Sequence, residues 1–191
     1  MKKVLLSVLS LALVMLAGCV VNSIYPFYTT KDLTFDPALL GTWGDVKNTN
    51  AEDKEVWVFE KITDQTYKMT IRGDSETNAF DTHLFTLGKE RFLDSLPRQR
   101  AAYHTPGHFL LRVKSITPKL ELQLLNYEWL AKLVEQNPKA IRHIIVPKET
   151  GASNEGGELT LTADTAELQK FLLKHLANTN AWSETIVMKK R

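Results

Sequence analysis

The fold is decided by two runs, EVWVFEKI at residues 55–62 and TYKMTIR at residues 66–72, which are separated by the short polar segment TDQ. Bulky apolar side chains recur in them at every second position: Trp57, Phe59, Tyr67, Met69 and Ile71. Successive side chains of a β-strand point to opposite faces, so this period of two predicts two strands, each with one buried face. The polar segment between them predicts a hairpin turn.

Runs of the same kind recur through much of the chain. Ahead of the first, Asp36 and Pro37 have the residue types of a helix cap and a first helical position, which predicts one short turn. Gly41-Thr42-Trp43 then enters a strand. The other predicted strands lie at residues 80–87, 91–96, 108–115, 120–125, 141–146, 158–162 and 182–188. Short strands separated by turn residues predict a mainly β protein, an antiparallel barrel or meander.

Two helices are predicted within this β pattern. An additional short helix at residues 127–136 follows Asn126, a preferred N-cap residue, and ends before Pro138. A late helix is predicted after Asp164, which has capping-box spacing to Glu167, and the apolar positions that follow recur at helical intervals. The predicted fold class is therefore mainly β, with one late helix and one additional short helix.

The beginning of the chain has the three parts of an export signal. Lys2 and Lys3 precede an apolar run at residues 4–16, and small residues precede Cys19, the only cysteine in the sequence. The run is too short to cross a bilayer, which takes roughly 20 apolar residues. Leu16-Ala17-Gly18-Cys19 resembles the lipobox of bacterial lipoproteins. The resemblance implies cleavage before Cys19 and lipidation at that residue; the alternative is an ordinary signal peptide with an incidental cysteine.

Lipidation would make the membrane a partner of this protein, because two or three acyl chains anchor a protein durably. Val20 follows the cysteine, whereas an aspartate there would resemble an inner-membrane retention signal. The predicted location is therefore the outer membrane, on the side that faces the periplasm.

Removal of residues 1–18 would leave a formally neutral chain. It takes away two lysines and no acidic residue, so the number of Lys and Arg falls from 24 to 22, equal to the 22 Asp and Glu. A nucleic-acid partner needs a net basic face, so none is predicted. The domain prediction is a signal peptide at 1–18, a lipidated N-terminus and tether at 19–34, and a β domain at 35–191. Alternatively, four side chains of the tether pack across the domain: Ile24, Tyr25, Phe27 and Tyr28.

Phe35-Asp36 ahead of Gly41-Thr42-Trp43 is similar to the opening signature of the lipocalins, and the order of meander, late helix and last strand is similar as well. The resemblance implies a barrel in which Trp43 closes one end beneath the opening turn and Gly41 permits close backbone approach. The chain departs from that pattern in its additional helix and in having no arginine directly before the late helix to cover Trp43. Phe92-Leu93-Asp94-Ser95-Leu96-Pro97 also resembles uncharacterised bacterial lipoproteins, a likeness that implies no activity.

The apolar strand faces leave two kinds of function open. A barrel of about eight strands is just wide enough to hold one small ligand or to be filled by its own side chains. If it is hollow, the residues predicted to bind a small lipid or other apolar molecule are Trp57, Phe59, Tyr67, Met69 and Ile71. If it is filled, the prediction is a structural or assembly lipoprotein that contacts another envelope protein. No cofactor is predicted for either.

The titratable residues predict neither a metal site nor an enzyme. His104 and His108, with His83 more distant, are the best metal candidates, but the proline and glycine between the first two exclude helical spacing. Asp81 and His83 share a strand face that suits an acid orienting a base, yet no nucleophile can be named beside them. One local excess of basic residues would suit an anionic head group or form a solvated loop: Arg98, Arg100, His104 and Arg112.

Overall fold

The computed structural model describes residues 20–46, 55–73, 76–98, 107–146 and 158–191, so Cys19, Arg100 and His104 lie outside the described residues. The strands are β1 (Asn22–Ser23), β2 (Leu33–Thr34), β3 (Gly41–Asp45), β4 (Val56–Lys61), β5 (Tyr67–Arg72), β6 (Thr77–Leu87), β7 (Glu90–Pro97), β8 (His108–Ser115), β9 (Leu120–Leu124), β10 (His143–Val146), β11 (Glu158–Leu161) and β12 (Ile186–Lys190). The helices are α1 (Tyr127–Gln136) and α2 (Thr165–His175), with short 3-10 turns at Pro37–Leu39 and Thr179–Ala181.

Eight antiparallel strands close into a barrel. Strands β3 to β9 pair in sequence order, and β12 completes the ring by pairing with β9 on one side and β3 on the other. Trp57 stands opposite Trp43 across one strand pair and opposite Ile71 across the next, which fixes the register of the apolar face. The predicted mainly β fold with an antiparallel barrel, a late helix and an additional helix is confirmed.

The first of two hydrophobic cores lies inside the barrel. Alternation along the strands turns one set of apolar side chains inward, and the 3-10 turn at Pro37–Leu39 adds Leu39 from one end. The buried residues of this cluster include Leu39, Trp43, Trp57, Phe59, Tyr67, Met69, Ile71, Phe80, Leu84, Leu93, Phe109, Leu111, Leu120, Leu122 and Met188.

The second core lies between the outer wall of β6 to β8 and the two helices. These strands also carry apolar residues on their outward positions, among them Phe85, Phe92 and Leu110. Helix α1 contributes Leu130 and Val134, and α2 contributes Leu168, Phe171 and Leu172. As predicted, each helix begins at a side-chain cap: Asn126 accepts from the Trp129 N–H, and Asp164 from the Glu167 N–H.

Residues 20–34, here called the strap, cross the outside of the same wall. Strand β1 lies between β8 and β11 and pairs with both, and β2 pairs with β6. Val20 and Phe27 are buried, Tyr28 is partly buried and Tyr25 is exposed. The expectation of a tether is therefore wrong for residues 20–34, because backbone pairing and side-chain burial make them part of the domain.

The last strand and β10 both begin later in the chain than the sequence predicted. The last strand runs over Ile186–Lys190 instead of beginning at Trp182, because Trp182 follows a 3-10 turn and packs with its ring 6.1 Å from that of Phe92 in the second core. Strand β10 begins at His143, since Ile141 is also buried in that core. The apolar side chains of Trp182 and Ile141 therefore pack into the second core, while their backbones lie outside the strands that follow.

Candidate functional sites inside the barrel and on its outer wall

The five predicted ligand-binding residues lie together inside the barrel, on β4 and β5. Each is at most 3% exposed: Trp57, Phe59, Tyr67, Met69 and Ile71. A side chain that lined an open lumen would leave part of its surface within reach of a water-sized sphere. These five side chains are therefore packed by their neighbours at their own level of the barrel.

One end of the barrel is closed around Trp43. Its indole N–H donates to the Leu39 carbonyl at 2.8 Å, which ties the tryptophan to the 3-10 turn above it. Lys190 lies over the ring with Nζ 5.3 Å from the ring centroid and donates to the Ala38 carbonyl at 3.1 Å. Gly41 has a φ of +117°, a backbone conformation that is strained for any residue with a side chain. A Cβ at this position would also lie 3.0 Å from Lys190 Cε. The cation over Trp43 thus comes from Lys190 of β12, and not from an arginine before the late helix as in the lipocalin pattern.

A polar set completes the same end. The Tyr67 hydroxyl donates to the Asp36 carbonyl at 3.1 Å and accepts from the Asp36 N–H at 2.7 Å, and its ring stacks on Phe35 with centroids 4.7 Å apart. Burial raises the pKa of Tyr67, so this hydroxyl stays protonated at neutral pH. Arg91 pairs with the Asp36 carboxylate at 3.0 Å. These contacts hold the opening turn against the barrel.

The most unusual polar residue on the outer wall is Asp94, which is fully buried in β7. Its Oδ2 accepts from the Phe27 N–H of the strap at 2.8 Å, and its Oδ1 lies 2.7 Å from His108 Nδ1, which donates to it. A buried carboxylate is costly unless paired, and both oxygens here have partners. Sequence reasoning missed this site, although an acidic residue inside the apolar run Phe92–Leu96 was a signal for it.

A chain of polar groups lies beside Asp94. His83 stands directly opposite Asp94 on β6; its Nδ1 lies 3.2 Å from the Tyr28 hydroxyl and its Nε2 3.2 Å from Thr66 Oγ1. Burial, assisted by the charge of Asp94, raises the pKa of Tyr28 to about 12, while burial lowers the pKa of His83. Tyr28, His83 and Thr66 thus form one chain of hydrogen bonds, for which a neutral imidazole supplies one donor and one acceptor.

The predicted acid–base and metal candidates have other roles in the structure. Asp81 pairs with Arg98 at 3.3 Å, so the carboxylate that faces His83 is Asp94. His83 and His108 do come near one another around Asp94. Even so, the described part of the chain contains no group of three or more His, Cys, Asp or Glu side chains placed to hold a metal ion.

The two described members of the predicted basic group, Arg98 and Arg112, have separate partners in the structure. Arg98 pairs with Asp81 in an exposed position, whereas Arg112 is buried, bonds to Glu90 through two nitrogens and lies over the Trp182 ring. The other two members lie outside the described residues. Arg112 joins the barrel wall to the end of α2 by donating to the Leu176 carbonyl at 3.2 Å, so its role is structural.

The described residues thus define a closed eight-stranded antiparallel β-barrel with a cluster of buried apolar side chains inside and a helical layer on one wall. Comparison of the sequence with protein-family models and with curated proteins, and of the fold with solved structures, found no match. Among the residues described, no helix has both the length and the apolar character needed to cross a bilayer.

Proposed function

We propose that this protein is an envelope lipoprotein, anchored to the membrane through Cys19, that acts as a structural or assembly component through its outer surface. The observation that carries the proposal is the near-complete burial of the five side chains predicted to line a ligand site. Their surfaces are already covered by neighbouring side chains, so little apolar surface is left to contact a ligand.

The polar groups support the same proposal. A binding pocket usually combines an apolar lining with a few convergent polar groups that remain available to the ligand. Here each carboxylate oxygen of Asp94 has a partner, Phe27 or His108, and the Tyr67 hydroxyl both donates to and accepts from the Asp36 backbone. Both sites use their hydrogen-bonding capacity to fasten chain segments to the barrel.

A ligand titration separates this proposal from the apolar-ligand alternative. The Cys19→Ser protein, which lacks the acyl acceptor, is titrated with a fluorescent fatty-acid analogue, and solvent extracts of protein purified from cells are searched for bound lipid. The proposal expects no saturable binding and no co-purified lipid. The ligand function would be established instead by micromolar binding, about −8 kcal/mol. That binding would have to be weakened by Met69→Trp and unaffected by Val58→Trp, which lies on the opposite strand face.

The anchor is tested by metabolic labelling with an alkyne fatty acid followed by separation of inner and outer membranes. Label is expected on the parent protein in the outer-membrane fraction and absent from Cys19→Ser, which removes the only cysteine. Absence of label from the parent protein would refute the anchor.

The assembly role is tested by photo-crosslinking in living cells. A photoreactive amino acid is placed in turn at exposed positions on separate faces, for example Leu173 on α2 and Gln65 on the β4–β5 turn. One discrete protein adduct confined to a subset of positions is expected. If no position gives an adduct with another envelope protein, the assembly role is wrong.

A further inference from the structure

Almost no chain separates the proposed anchor from the folded domain. Val20 follows Cys19 directly, and it is buried and bridged to Asn126. Strand β1 then begins at Asn22. Adjacent Cα atoms are about 3.8 Å apart, so an acyl group at Cys19 would be attached one residue from packed backbone. The side of the molecule that carries β1 would therefore be held close to the bilayer.

Strand β10 lies on that same side. The sheet continues outward from the barrel in the order β8, β1, β11, β10, with Asn22 in register with Thr160 and Thr160 with Ile144. Neighbouring strands are about 4.8 Å apart, which places the Ile144 backbone about 10 Å from that of Asn22.

Exposed apolar side chains are concentrated here. Ile144 and Ile145 are 49% and 54% exposed and point to opposite faces of β10, and exposed Tyr25 follows β1 by two residues. They are three of the five large apolar side chains exposed in the described residues; the others are Ile62 and Leu173. Edge strands are usually blunted by lysine, proline or inward charge, and the sequence HIIV of β10 has none of these.

We propose that the β10 edge, with Ile144 and Ile145, rests at the boundary between head groups and acyl chains of the bilayer, beside the lipid anchor. The inference rests on the proposed lipidation of Cys19. The bilayer is the occupant that this position favours, because Cys19 precedes Asn22 by only three residues and the Asn22 backbone lies about two strand spacings from the edge. The amphipathic ring of Tyr25 suits the same interface.

The depth of this contact is limited by the backbone. Within the described residues, β10 pairs on one side only, with β11. Unpaired N–H and C=O groups are costly in the hydrocarbon core, so the edge stays at the hydrated boundary. Arg142, which directly precedes β10, is paired with Asp164 and Glu167. The contact is therefore apolar, and added salt should leave it unchanged.

Collisional quenching tests the orientation. Cys19 is acylated in the lipidated protein, so a cysteine introduced by Ile145→Cys takes a thiol-reactive fluorophore, and Ile62→Cys provides the matched control. Ile62 is 45% exposed and lies at the β4–β5 turn, across the barrel from β8 and β9. Both lipidated proteins are placed in vesicles of phosphatidylethanolamine and phosphatidylglycerol that contain a lipid with a spin-labelled head group. Quenching several-fold stronger at position 145 than at position 62 is expected.

Each other outcome overturns the inference in a recognisable way. Equal or absent quenching at the two positions, in protein shown to carry the acyl label, refutes the orientation and leaves the anchor intact. Failure of acyl labelling refutes the anchor and the inference together. Energy transfer between fluorophores at position 145 on different molecules would assign the edge to a second copy of the chain.

Discussion

Replacing Asp94 with alanine should loosen the strap and destabilise the whole domain. The substitution leaves the buried Phe27 N–H without its acceptor and His108 Nδ1 without its carboxylate. A buried donor left without its acceptor costs about 1–3 kcal/mol, and more where the lost hydrogen bond was to a charged group. Two donors lose the same carboxylate and their costs add only in part, so the expected loss is about 3–5 kcal/mol.

Two matched substitutions separate the causes. Asp94→Asn keeps an oxygen that accepts from Phe27 but loses the charge beside His108, so we expect a smaller loss, about 1–3 kcal/mol. Asp81→Ala removes a carboxylate from the same outer face, but its pair with Arg98 is exposed, so it should cost at most about 1 kcal/mol.

Urea unfolding of the Cys19→Ser protein, followed by tryptophan fluorescence, gives the three free energies on one scale. In thermal melts the Asp94→Ala loss corresponds to a fall of about 6–20 °C, at about 2–4 °C per kcal/mol for a domain of this size. Amide hydrogen exchange should show earlier loss of protection in residues 21–28 than in β3 to β5. If Asp94→Ala and Asp81→Ala unfold at the same urea concentration, Asp94 does not fasten the strap and the reasoning is refuted.

Trp43→Ala should cost about 3–5 kcal/mol in urea unfolding, because it deletes a buried indole and its bond to Leu39; a melt unchanged from the parent protein would mean that Trp43 does not close the barrel. Met69→Trp should cost about 1–3 kcal/mol by overpacking a filled interior, and no loss would indicate an empty lumen. Because the pKa of Tyr28 is raised from 10.0 to about 12, the unfolded state loses its proton first and stability should fall as pH rises through this interval. Tyr28→Phe should reduce that fall, and an identical alkaline profile would contradict the assignment. Burial lowers the pKa of His83 below 6.5, so the unfolded state takes up the proton first and stability should decrease as pH falls below 6.5; a His83→Gln variant with the same acid dependence would refute this.

The sequence alone determined the elements and their faces, because alternation and capping depend on residues that are near in the chain. The period of two in residues 55–62 and 66–72 was enough to place Trp57 and Met69 on buried faces. Likewise, Asn126 and Asp164 cap helices where their spacing predicted, since a cap needs only the next three residues.

Only the tertiary structure decided how the barrel is filled and how the strap is held. Whether an inward face lines a cavity depends on side chains from all eight strands at once, and no single run of sequence carries that information. Asp94 meets Phe27 across 67 residues of chain, and Lys190 reaches Trp43 because β12 pairs with β3. The sequence of the strap predicts a tether because a two-residue strand is too short to show a period of two. The strap is instead ordered by β8 and β11, which become its neighbours only when the barrel and the outer sheet have formed.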